Sequence, residues 1–295
     1  PILMNVIMLT AILTSRGGPE AAAYAVSWGV LIAGVAQAAL CFWAVRKAGA
    51  NIHFRIPRLT APVKAIIITA IPAVIGNSAT QINVFISGNL ASFVEGGRSW
   101  LATADRLYQL PLGLVGVAMG IALLPKLSSA VAAGDREQQQ ASMDEALVLA
   151  MSLTLPAATA ILAMPHFLID GLFTRNNFLA FDAINTAQVL FHFGWGVPAF
   201  ILIRILTPAF FSRQDTRTPM RFALISVAVN AVIALGLFAA GVGVPGIAAA
   251  TSAAAWVNAG LLAITLWRQD FYRPAATAWR RLSRILIASL AMGAV

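Results

Sequence analysis

Two arginines stand where an arginine is costly. Arg106, in LATADRLYQLPLGLVGVAMG, and Arg204, in FILIRILTPAFF, both lie inside long apolar runs. A charged side chain at bilayer depth costs at least ~2.5–3.5 kcal/mol, so it normally faces a wet cavity or a partner and marks a functional site. A guanidinium is a planar fork of donors, charged at any working pH, whose geometry matches the oxygens of a phosphate. Arg106 has the stronger case. It lies about two turns inside its helix, and neighbouring Asp105 cannot simply neutralise it, because adjacent helical residues point to different sides. Gln109 and Gly113 share its face and complete a basic, polar, small-residue stripe. Snorkelling to the outer interface is the competing account. Arg204 has apolar neighbours on both sides and precedes Arg213 by roughly two turns, so anchoring explains it as well as function does.

A third candidate is uncharged. Between Ile75 and Asn89 the chain carries Asn77, Ser78, Thr80, Gln81, Asn83, Ser87 and Asn89. Such groups either join helices or line a wet pathway, and Asn83 is the one carried forward. Catalytic chemistry has little footing. His53, His166 and His192 are far apart, with no HExxH or metal-ligand spacing, and no GxSxG or phosphate-cradling glycine loop is present. The chain therefore reads as a non-enzyme with no metal or cofactor. Cys41 is the lone cysteine, which leaves no internal disulfide or CxxC pair and predicts a buried, inert thiol.

The elements that must hold these residues are set by composition. Hydrophobic residues make up 59% and charged residues 11%, too little polar surface to cover a soluble globule of 295 residues. Roughly 20 apolar residues cross the hydrocarbon as a helix. Runs of that length fall at about 21–45, 65–94, 99–131, 146–172, 183–210, 222–244 and 246–267. They are continuous rather than alternating, which predicts an all-α, polytopic transmembrane bundle and excludes a β-barrel. Prolines 111, 125, 156, 198 and 208 are expected to interrupt these helices. The runs 1–14 and 282–295 are too short to span, and both ends read as cut.

The net charge of +9 invites a nucleic-acid reading, but the cations sit in short clusters between apolar runs with no basic domain. Fifteen of the twenty Lys and Arg fall in alternate connections, among them Arg46–Lys64, Lys126–Arg136, Arg213–Arg221 and Arg268–Arg284. Cytoplasmic loops carry that excess, so these connections are predicted to be cytoplasmic. The longest of them suggests a boundary between bundles, giving residues 1–50 as the end of a first lobe, 51–64 as the connection, 65–268 as a second lobe and 269–295 as a link and C-terminal helix.

Several motifs then point to one family. Ala104-Asp105-Arg106-Leu107, Pro111-Leu112-Gly113, Val115-Gly116-Val117-Ala118 and Leu124-Pro125-Lys126-Leu127-Ser128 resemble the signature of the MurJ (MviN) lipid II flippases. So do Phe211-Ser212-Arg213-Gln214-Asp215 with Thr218-Pro219, and Leu172-Phe173 through Phe181-Asp182-Ala183. The resemblance runs over the whole chain. It implies a MATE-like exporter fold and a multi-pass protein of the bacterial inner membrane lacking its N-terminal helices. It also implies lipid II, an undecaprenyl-diphosphate-linked muropeptide, as substrate, with membrane lipids and the peptidoglycan synthesis machinery as partners. By its ADR motif, Arg106 resembles the second-lobe member of the family's diphosphate-binding arginines. Gln109 stands where relatives carry a glutamate, Ile121 where they carry threonine, and Asn176 where they carry glycine. Some relatives hold sodium among second-lobe acids and amides. Here Asn230 is followed one turn later by Ala234, and no acid lies in 65–94 or 222–267, so that kind of sodium site is not expected. The rivals are another exporter of the same superfamily, an O-antigen flippase or a drug/cation antiporter, or a non-transporting scaffold.

Overall fold

The computed structural model describes residues 2–49, 60–175 and 178–294. Most of the expected inter-lobe connection, with His53, Arg55 and Arg58, and the Asn176 turn lie outside the described residues. Eleven α-helices and no strand are formed among those described. The chain divides into two compact units, Pro1–Thr60 and Ala61–Val295.

The first unit is a helical hairpin of α1 (Ile2–Thr14) and α2 (Gly18–Lys47). Gly18 holds a φ of +82°, a conformation that glycine adopts without strain, and Pro19 starts α2 in the first-turn position where its missing N–H costs nothing. A Cβ on Gly29 would stand 3.2 Å from the Ala11 Cβ, so small residues let the two helices close. At the end of α2, Arg46 lies over Phe42 and Lys47 over Trp43, with charge-to-ring distances of 5.2 and 5.0 Å. Cys41 is exposed rather than buried. The lone-cysteine argument assumed a packed interior, whereas most of α2 is apolar surface of the kind that faces lipid, including Trp28, Leu31, Val35 and Trp43.

The second unit contains α3 (Ala61–Ala91), α4 (Gly97–Ala133), α5 (Arg136–Ala163), α6 (Pro165–Phe173), α7 (Ala180–Gly194), α8 (Val197–Phe211), α9 (Arg217–Ala239), α10 (Val244–Arg268) and α11 (Ala276–Ala294). Helices α4, α5, α7, α8 and α10 pack around a core of Leu127, Met143, Leu190, Ile205, Phe210 and Leu266, while α3 lies on α9 and α11 on α5. Among the described residues, α2, α5, α9 and α10 are long and apolar enough to cross a membrane, and α7 with α8 forms a fifth, bent span. The 31 and 37 residues of α3 and α4 would reach well beyond ~30 Å at ~1.5 Å per residue. At one end the cation-bearing turns after α4, α8 and α10 converge on a shared pocket. At the other, Phe93 meets Phe238, and Trp100 meets Asp182.

Two spans read as continuous are broken, one of them at Pro198 as expected, while the other four expected prolines leave their helices unbroken. Pro111 and Pro125 lie inside α4, Pro156 inside α5 and Pro208 inside α8, all within unbroken helix. The run 146–172 parts instead at Met164, and 183–210 bends by 40° at Trp195–Gly196, with Pro198 opening α8. The second break is closed by α10. Ser252 Oγ donates to the His192 carbonyl at 2.7 Å, and Trp256 Nε1 donates to the Trp195 carbonyl at 3.0 Å. Both donors sit one turn apart on one face of α10. The approach leaves no room at Gly196, where a Cβ would fall 2.2 Å from Ser252 Oγ.

Gly196→Ala is therefore expected to abolish stable folding. Ser252→Ala should lower stability by about 1–3 kcal/mol, because the His192 carbonyl loses its partner in a medium without water. Thermal unfolding of the purified protein in detergent measures both.

Candidate functional site

Helix α4 is two-faced around its midpoint. Ala104, Leu107, Tyr108, Leu112 and Val115 are buried against α5, α7 and α8, whereas Arg106, Gln109 and Gly113 are exposed. The stripe expected from helical spacing thus exists, and Asp105 stands at its edge. Arg106 lies nine residues after Gly97, about 13 Å along the axis. No hydrogen bond, ion pair or ring contact engages its guanidinium among the described residues.

Asp105 is occupied elsewhere. It accepts a hydrogen bond from Gln109 Nε2, one turn on. The acid that adjoins Arg106 in sequence is thus engaged by the amide of the same stripe and forms no ion pair with Arg106 among the described residues.

Tyr108 joins the parts that sequence reasoning had left separate. Its ring packs on Phe193 at 4.5 Å and stacks on Phe200 at 5.4 Å, one from each side of the α7–α8 break. Arg204 follows Phe200 by one helical turn, on the α8 face that meets the Tyr108 ring. Asp105 and Gln109, bonded to each other on α4, flank Tyr108 in sequence, and Gln109 shares the Arg106 stripe. Arg204 is itself exposed and forms no ion pair among the described residues.

Asn83 does not join them through any described contact. It is half-buried on α3, and its hydroxyl neighbour is Ser87 of the same helix at 3.5 Å. Tyr108 was missed because a tyrosine in an apolar run reads as core; its polar tip three residues after Asp105 was the available signal.

At the start of α4, Asp182 accepts hydrogen bonds from Trp100 Nε1 at 2.7 Å and the Leu179 amide at 2.9 Å. They tie the start of α7 to the start of α4, and so fix the helix that carries Phe193.

This geometry, a helical bundle with several membrane-length apolar helices and a broken span, defines a polytopic membrane protein. Its fold matches a structure described as "Lipid II flippase MurJ, inward closed conformation", with a TM-score of 0.75 at 22% identity over 99% of this chain and 58% of that one. It also matches an outward-facing multidrug resistance MATE transporter of the MOP superfamily, with a TM-score of 0.59 at 18% identity over 78% and 52%. The family model "Lipid II flippase MurJ" matches residues 1–295. The "Probable lipid II flippase MurJ" of Rhizobium meliloti (strain 1021) is 44% identical over 300 residues, covering 100% of this chain and 55% of the relative. The chain belongs to the MurJ family and is a multi-pass protein of the bacterial inner membrane. It spans about half the length of the curated relatives it matches.

One comparison tests this geometry. Tyr108→Phe keeps the ring stack and should remain within about 1 kcal/mol of the parent, whereas Tyr108→Ala opens a cavity and should cost roughly 3–5 kcal/mol, read by denaturant unfolding in detergent.

Proposed function

We propose that the protein carries lipid II from the cytoplasmic to the outer face of the bacterial inner membrane by alternating access. Residues 65–268 act as the second helical lobe, and Arg106 takes the substrate diphosphate in the cavity that this lobe helps to form. The observation that carries this reading is the exposed guanidinium of Arg106, unpartnered among the described residues while its sequence neighbour Asp105 is held by Gln109. A diphosphate supplies the paired oxygens such a fork matches. The lipid is bound, turned outward as the lobes rock and released, with no covalent bond changed. Its anionic headgroup makes the step sensitive to membrane potential, by ~2.3 kcal/mol per charge per 100 mV. The partners are lipid II, the surrounding lipids and the peptidoglycan synthesis machinery that uses the delivered precursor.

A drug/cation antiporter needs free cavity acids, and the acid beside Arg106 already accepts a hydrogen bond from Gln109. That weighs against the antiporter within the same superfamily.

Arg106→Ala should insert at normal abundance and lower lipid II exposure at the outer face by tenfold or more, as expected for a lost charged hydrogen bond. Arg106→Lys, which keeps the charge but not the fork, should retain part of the activity. Arg204→Ala should be milder. Normal exposure with Arg106→Ala and loss with Arg204→Ala would move the substrate site to α8.

A further inference from the structure

A second cluster of cations lies away from Arg106, at the end of the unit that the charge count assigns to the cytoplasm. Arg136 at the start of α5, Arg213 after α8, and Arg273 after α10 line one cavity of about 320 Å³, a volume at the small end of ligand sites. One carboxylate serves two of the three. Asp270 reaches Arg273 Nη2 at 3.2 Å and Arg136 Nη1 at 3.9 Å, and leaves Arg213 without an acid among the described residues.

Arg213 is held rigidly for a residue so placed. Its guanidinium lies 4.6 Å from the Phe271 ring and 5.6 Å from the Phe210 ring, and Nη2 donates to Gln269 Oε1 at 2.5 Å. Its Nε is buried with no hydrogen-bond partner. Ring faces on a guanidinium orient it and exclude water without using its in-plane donors.

The walls are equally fixed. Gln140 donates Nε2 to the Phe271 carbonyl at 2.9 Å and accepts from the Arg273 amide at 3.2 Å. Asp144 accepts from the Tyr272 hydroxyl at 2.7 Å and from the Ala275 amide at 3.2 Å. The α10–α11 linker is thus sewn to α5. The two turns that border the cavity also hold the two non-glycine residues with positive φ among those described, Gln214 at 59° and Asp270 at 53°. Such conformations persist where the surroundings over-determine them, and they cluster at ligand sites.

We propose that this cavity is an anion site for a phosphate oxyanion, presented by a lipid headgroup of the adjoining leaflet or by a soluble phosphate. The oxyanion would take the unused donors of Arg213 and share Arg136 and Arg273 with Asp270. The proposal stands independently of substrate binding at Arg106.

The test uses the full chain in nanodiscs of neutral phosphatidylcholine. One arm titrates inorganic phosphate by calorimetry, and the other adds phosphatidylglycerol to the discs and counts retained lipid by native mass spectrometry. Binding in the first arm alone assigns a soluble phosphate, and in the second alone a lipid headgroup. Arg213→Gln should weaken binding by roughly tenfold, the loss of one charged hydrogen bond. Arg273→Gln, at an exposed position, should do the same and keeps the answer readable if Arg213→Gln misfolds. Asp270→Asn should tighten binding severalfold, because it frees two guanidinium groups; a purely structural ion-pair hub would not give that gain. Absence of binding in both arms, weaker binding with Asp270→Asn, or a signal that Arg106→Gln removes and Arg273→Gln leaves intact would overturn the proposal.

Discussion

A carbonyl freed from a helix inside a bilayer has no water to turn to, and the second unit is organised around one place where this happens. The bend between α7 and α8 leaves the His192 and Trp195 carbonyls without their usual partners, and α10 answers both with Ser252 and Trp256. Gly196 is what lets α10 come close enough. The bend in turn places Phe193 and Phe200 against the Tyr108 ring, with Arg204 one turn after Phe200. The position of the candidate site therefore follows from how three backbone segments satisfy their hydrogen bonds.

Within that frame the chemistry depends on keeping one cation unneutralised. An acid and a base side by side in sequence invite an ion pair, but 100° of helical rotation separates them. Asp105 is drawn to Gln109, and Arg106 has no ion-pair partner among the described residues. Charge at depth is tolerated because α4 exposes it on a stripe that ends in Gly113 rather than on its packed face. This is a different use of arginine from the one at the opposite end of the unit, where Arg213 is stacked between rings and bordered by strained turns.

Much of this was legible in the chain. The helical, membrane-spanning character followed from run length, and the Arg106–Gln109–Gly113 face followed from the 3.6-residue period, because both are local properties of consecutive residues. The breaks were not local. Proline marked candidate kinks, yet Pro111, Pro125, Pro156 and Pro208 sit in unbroken helix, and the bend formed at Trp195–Gly196, where a distant helix supplies donors. Tyr108 escaped for the same reason, since its role depends on Phe193 and Phe200, eighty-five or more residues away in sequence. Cys41 was misjudged because burial statistics for cysteine come from water-soluble interiors, and on α2 an apolar side chain is at home on the outside.

The central claim is that Arg106 recognises the diphosphate itself rather than anchoring α4. Its most direct measurement compares retention of lipid II with that of undecaprenol, which has the same chain and no phosphate, by native mass spectrometry of parent and Arg106→Ala proteins. The account predicts that the parent retains lipid II over undecaprenol and that Arg106→Ala loses this preference while holding undecaprenol equally well. An unchanged preference in a folded Arg106→Ala protein would contradict it.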